Sequence, residues 1–190
     1  GVNIRPRKTI YTCPICGMAL EPMGLPDALG GEPDPELTDF LHRLKIGTIL
    51  TIPLLILAMG THTGLPAHDW LGAQGGQLVE LMLATPVVLW CGKPFFERGL
   101  ASLRNNSLNM WTLISLGTGA AFLYSLVAVL APGLFPAAMR DHSGTIPVYF
   151  EVAAVIIVLV LLGQVLELSA RARTGDALRA LLNLAPKSAL

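Results

Sequence analysis

The sequence predicts an all-α membrane protein: four transmembrane helices behind a short, Cys-containing cytoplasmic N-terminal segment. Three observations predict it. Hydrophobic residues make up 53% of the chain and charged residues only 14%, where a soluble domain carries about 25% charged. Charge is scarcest in four runs, residues 46–59, 78–96, 110–130 and 148–168, and a span needs about 17–25 mostly apolar residues. Lysine and arginine are then unevenly distributed around those runs, which orients them.

Residues 1–39 are polar and rich in Pro and Gly, and residues 1–38 lack the charged-then-apolar pattern of a signal peptide. The stretch "YTCPICGMALEPMG" holds Cys13 and Cys16. Two thiolates are half of a structural zinc set, but they suffice for low-coordinate Cu(I), with Met18 close by. A redox pair is the other reading, and a cytoplasmic location favours reduced thiols. "LPDALGGEPDPE" reads as an acidic linker. The first run reaches span length when residues 40–45 are counted, with Arg43 and Lys45 snorkelling to the interface.

The second run carries Glu80, Cys91 and Lys93. In "CGKPFFERGLASLRNNSLN", Gly92 and Pro94 disfavour a continuing helix. This predicts a kinked second helix whose end lies along the inner membrane surface as an amphipathic platform, with Arg98 and Arg104 on it. An ordinary helix end with a basic flank is the alternative. The third run, "MWTLISLGTGAAFLYSLVAVL", has Gly117, Ala121 and Ser125 at spacing four, a pattern that lets helix backbones approach. The fourth, "EVAAVIIVLVLLGQVLELSARAR", keeps Glu151 and Glu167, although a carboxylate in hydrocarbon costs roughly 2.5–3.5 kcal/mol on insertion scales. The tail continues as an amphipathic helix towards Pro186.

Of the thirteen Lys and Arg residues, five precede the first span and none lies between the first and second. Three (Lys93, Arg98, Arg104) lie between the second and third, one (Arg140) between the third and fourth, and four follow. Positive charge marks the cytoplasmic side, so both termini and the middle connection face inward, in a multi-pass protein of the cell (inner) membrane. A net charge of zero gives no global attraction to nucleic acid; membrane lipid is the expected surroundings.

Glu151 and Glu167 are sixteen residues apart, ~24 Å along a helix. They cannot share a site, but they can mark two ends of one route. Met110, Cys91 and Glu167 then collect at the cytoplasmic leaflet on three helices. Sulfur ligands select Cu(I) among available metals, and a carboxylate beside them offers charge. Each residue also has a plain reading. Met110 is an apolar filler, Cys91 a small buried residue, and Glu167 an interfacial anchor or a partner of Arg171, four residues on. Glu151 and Glu80 are solvated among headgroups, and Gln164 bonds between helices.

"NMWTLISLGTGAAFLYS", "VYFEVAAVIIVLVLLGQVLELSARARTGDALRALLNLAPKSA" and the preceding "PFFERG" resemble the first part of bacterial copper-transporting P-type ATPases of the heavy-metal subclass. The resemblance covers roughly residues 38–190, and "YTCPICGMALEP" is similar to a heavy-metal-binding motif found ahead of that core. It implies a copper uptake site at Met110 and Glu167, release at Glu151, and a platform that receives copper from a cytoplasmic chaperone. The family kink is usually Gly-Gly, where this sequence has Cys91-Gly92, leaving open whether Cys91 adds a ligand. Glu97 is acidic where a platform base is expected.

The implied organisation is a metal-binding Cys motif at 1–24, a linker at 25–39, and two class-specific helices with the platform at 40–107. Two core helices follow at 108–172, and 173–190 starts a linker to an actuator domain. No DKTGT, TGE or CPC motif occurs. The expectation is therefore the membrane portion of a Cu(I) exporter, with Cu(I) as the transported ion and ATP and Mg2+ used only in domains outside this chain. The alternatives are a non-enzymatic membrane copper-binding protein and a membrane thiol oxidoreductase using Cys13 and Cys16.

Overall fold

The computed structural model describes residues 35–63, 67–140 and 146–183. Cys13, Cys16, the linker after them and Pro186 lie outside the described residues. Among the described residues every regular element is helical. The long ones are α1 (Pro35–Thr63), α2 (Ala67–Pro86, continued by a π-helical turn at Val87–Cys91), α3 (Lys93–Arg104), α4 (Met110–Leu130) and α5 (Phe150–Asn183). Single 3-10 turns at Pro132–Leu134 and Ala137–Met139 follow α4.

Three stretches are long and apolar enough to cross a membrane: Glu36–Gly60, Met110–Leu130 and Phe150–Arg171. A fourth candidate is the bent pair Gln74–Cys91 and Lys93–Arg104, which turns by 58°. In hydrocarbon each backbone polar group must pair within its own segment, and an open chain does that only as a helix. The first span begins ten residues before the apolar run that announces it. Its early polar residues are tolerated because Glu36 and Arg43 find partners on other helices.

Lipid tails are as apolar as the side chains here, so close packing and interhelical hydrogen bonds hold such helices together. On α1, Phe40, Gly47, Thr51 and Leu54 form one buried stripe, and on α5 Phe150, Ala153, Ala154, Ile157 and Leu161 form another. These spacings of three, four and seven return to one face of a helix. The two helices pack against each other, and α2 and its π-turn close the group with Ala84, Val87, Val88 and Cys91.

The α4 and α5 helices are antiparallel neighbours. Phe122 meets Phe150 edge-on at 5.8 Å, and the Ser125 hydroxyl accepts the N–H of Tyr149 at 2.7 Å while lying 2.8 Å from the carbonyl of Ala121. The small-residue stripe on α4 does not act as a unit. Ser125 is buried, but Gly117 faces open space. The covered face is instead Trp111, Thr118, Phe122, Ser125 and Ala128, because α4 packs on α3 and α5 at different heights and neither contact follows a strict repeat of four.

Candidate functional site

The bend between α2 and α3 organises the inner half of the protein. Gly92 bonds through its N–H to Val87 O at 3.0 Å, the wide bond of a π-turn, and such turns recur at functional sites. A Cβ on Gly92 would collide with the Val88 carbonyl and press on Ile157 and Phe96, so only glycine fits. Pro94 sits in the first turn of α3, where its missing N–H is tolerated. Both residues picked out as kink-formers thus stand at the bend. Cys91 occupies the other kink position, fully buried, with its thiol 3.5 Å from the carbonyl of Arg43.

From the bend, α3 crosses the first turns of α4. Phe95 stacks on Trp111 at 5.4 Å and on Phe40 of α1 at 6.3 Å. Gly99 meets α4 closely: a Cβ there would overlap the Ser115 side chain and lie 2.9 Å from Trp111 O. Ser115 Oγ in turn lies 2.8 Å from the carbonyl of Phe95 and 2.7 Å from that of Trp111.

The two basic residues expected on the platform differ in fate. Arg104 is exposed in the last turn of α3. Arg98 is not offered to a partner. Its side chain is 14% exposed and is paired with Glu36. A guanidinium placed against aromatic rings is stabilised by their faces, and Phe40 and Trp111 both flank it. On the outer face of α3, Lys93 makes only a 3.7 Å pair with Glu97.

A tight turn returns the chain to α4. Asn106 takes a positive φ of 53°, and Ser102 donates to the carbonyl of Ser107. Asn109 caps α4 by accepting the N–H groups of Trp111 and Thr112 at 3.0 and 3.3 Å. Met110 is therefore the first residue of α4, and it is 55% exposed. Counting from the Phe122–Phe150 contact, Met110 comes level with Leu162, and Glu167 lies about 7 Å further along α5. The two residues lie towards the same end of the antiparallel pair.

Glu167 is engaged on its own helix. Oε1 accepts from Arg171 at 2.6 Å and Oε2 from Gln164 at 3.1 Å, so Gln164 serves α5 rather than bridging helices. The pair is half exposed, at 45% and 49%. Cys91 does not share this depth. Gly47 and Gly92, which flank it, pack against Val158 and Ile157, about 14 Å short of Glu167 along α5. Cys91 closes α2 just before the bend, beside the middle of α5, and the chain reaches the start of α4 only along α3, through Gly99 at Ser115 and Ser102 at Thr112.

The opposite end holds the other two acids. Glu80 of α2 is 4% exposed, and Glu151 lies in the first turn of α5. Gln77, one turn before Glu80, donates to the carbonyl of Ile146 at 2.8 Å and ties α2 to the start of α5. Among the described residues, no three His, Cys, Asp or Glu side chains converge as a metal cage.

The fold defines a class first: an all-helical, multi-pass membrane protein with a bent helix pair. No family model matches the chain. It is 56% identical over 198 aligned residues to a copper-transporting P-type ATPase of Rhizobium leguminosarum bv. viciae, covering 97% of this chain. It is 53% identical to a silver exporting P-type ATPase of Salmonella typhimurium and 54% identical to a copper-exporting P-type ATPase of Legionella pneumophila, over 94% and 93% of its length. Over more than nine-tenths of its length, then, the chain is homologous to bacterial metal-transporting P-type ATPases, most of them named for copper. It spans only 21–23% of the length of these three relatives.

Proposed function

We propose that the chain is the membrane segment through which a P-type ATPase takes up Cu(I) from the cytoplasm and starts it outward. The observation that carries this reading is the 56% identity, over nearly the whole chain, to a protein named as a copper-transporting P-type ATPase. The name of the Salmonella relative extends the cargo to Ag(I), a second soft monovalent cation. In this reading Met110 and Glu167 receive the ion, and Glu151, with Glu80 beside it, lies at the outer end. The bent pair counts as one of four spans, and the N-terminal segment with Cys13 and Cys16 is a cytoplasmic auxiliary. ATP and Mg2+ act in domains of the longer protein.

The chemistry suits a passing ion. Met110 supplies a soft neutral ligand, and Glu167 supplies the charge that offsets a dehydrated cation. Glu167 must first exchange Arg171 for the metal. An exposed i,i+4 ion pair contributes only about 0.3–0.5 kcal/mol, so that exchange is easy. A chaperone delivering copper would meet Arg104 and Lys93 on the platform, not Arg98.

The test is a chimera in which this chain replaces the homologous segment of the Legionella relative. Copper-stimulated ATP hydrolysis and copper uptake by inverted vesicles are expected for the chimera, with both lost in Glu167→Ala and Met110→Ala. Glu151→Ala is expected to load copper and release it slowly. A Glu167→Ala chimera that turns over like its parent reduces that residue to an anchor for Arg171.

A further inference from the structure

Pro94 has no N–H, so the carbonyl of Trp90, four residues back, lacks the donor that a continuous helix supplies. The next amide along is spent elsewhere, since the N–H groups of Phe95 and Phe96 both turn to Gly92 O. Where such a carbonyl faces hydrocarbon it needs a donor from the protein. A residue of another helix fills the gap: Arg43 of α1 places Nη1 2.5 Å from Trp90 O. Its guanidinium lies 5.0 Å from the centre of the Trp90 ring, and its Nε bonds Asp39 at 2.7 Å, which balances the charge. The contact is reciprocal, because the Cys91 thiol donates back to the carbonyl of Arg43 at 3.5 Å. Gly47 lies beside that thiol, where a Cβ would touch Sγ at an ordinary 3.5 Å and press on Val158 at 3.3 Å.

From this geometry we infer that Arg43 is a positioning residue whose guanidinium stands in for the amide that Pro94 lacks, and so holds the bend that lays α3 across the start of α4. It acts on the proposed copper path only through α3, whose Phe95 and Gly99 pack on Trp111, the neighbour of Met110. That consequence rests on the transport reading; the bond itself does not. A charge that merely snorkelled would be indifferent to residue 94. An arginine that replaces a missing amide is coupled to it.

The coupling can be read at the carbonyl itself. Trp90–Cys91 is the sole Trp-Cys step in the sequence, so carbonyl-13C tryptophan combined with 15N cysteine isolates the Trp90 carbonyl in solid-state NMR of the chain in lipid. Loss of a hydrogen bond moves a carbonyl carbon upfield. Arg43→Ala is expected to move it upfield, and Arg43→Ala with Pro94→Ala to return it to the parental position, because the restored amide takes over. A resonance that does not move in Arg43→Ala, or that moves equally with and without Pro94, overturns the proposal. Should Arg43→Ala not fold, Pro94→Ala and the double variant are compared: both must fold with the same Trp90 shift, and failure of the double variant to fold overturns it equally. Copper is absent from the measurement, so the result stands apart from the test of transport.

Discussion

Arg98 and Glu36 lie 62 residues apart in the chain and meet at 2.5 Å, with the guanidinium held between the rings of Phe40 and Trp111. The pair joins the first turn of α1 to α3 and, through Trp111, to α4. Removing one member of a buried pair costs about 3–5 kcal/mol, because the other is left charged without its counter-ion. Arg98→Ala is therefore expected to destabilise the chain by about 3 kcal/mol, and exposed Arg104→Ala by no more than about 0.5 kcal/mol. Denaturant unfolding of both variants in the same detergent checks this. Equal small losses would mean that the pair does not hold the helices together.

Gly99 and Gly117 should respond to alanine in opposite directions. Gly99→Ala forces a methyl into Ser115 and Trp111 O, and overpacking of this kind costs about 1–3 kcal/mol. Gly117→Ala meets nothing and gains up to about 1 kcal/mol of helix propensity. Thermal melts of the two variants read the sign directly. Adding Ser115→Gly to Gly99→Ala should recover part of the loss.

Cys91 should be inert towards alkylation in the folded chain. It is fully buried and its thiol is engaged. With Cys13→Ser and Cys16→Ser in place, maleimide is expected to modify Cys91 only after denaturation. Rapid labelling of the native protein in lipid would show that the bend opens.

The orientation read from Lys and Arg has its own check. In a background without native cysteines, Pro66→Cys is expected to react with an impermeant reagent added outside cells, and Leu20→Cys only after permeabilisation. Outside labelling of Leu20→Cys would reverse the orientation.

Apolar runs located α4 and α5 in the sequence, since an uninterrupted run of span length has few other solutions. The bend was also legible, because Gly92 and Pro94 act locally. Partners distant in the chain were not. Nothing near Arg98 announces Glu36, and nothing near Arg43 announces Trp90, so both arginines read as surface charge. For the same reason the apolar run of α1 began only at residue 46, or at 40 with Arg43 and Lys45 snorkelling, although the helix starts at Pro35, as hydropathy penalises Glu36 and Arg43 without seeing what neutralises them. The depth of Cys91 was missed because the second apolar run reads as ending at the inner face, whereas α3 still has to cover the distance from Cys91 to the start of α4. The spacing of Gly117, Ala121 and Ser125 fixes a face of α4 but does not say what that face meets. At Glu167, the pairing with Arg171 was the plain reading, and it is the arrangement in the structure. Whether that carboxylate also serves a metal is a matter of exchange, which a sequence does not record.

The Ser125 hydroxyl is engaged in both senses, with one N–H received across the helix pair and its own hydrogen directed back along α4. It works as a pin through two shafts. A slide of α5 along α4 by a single residue, about 1.5 Å, withdraws the Tyr149 N–H from its acceptor and unseats the Phe122–Phe150 contact in the same stroke. Small displacements thus meet resistance from their first step. The two helices should move as one lever, with rearrangement falling at the bend beside Gly92 rather than between them.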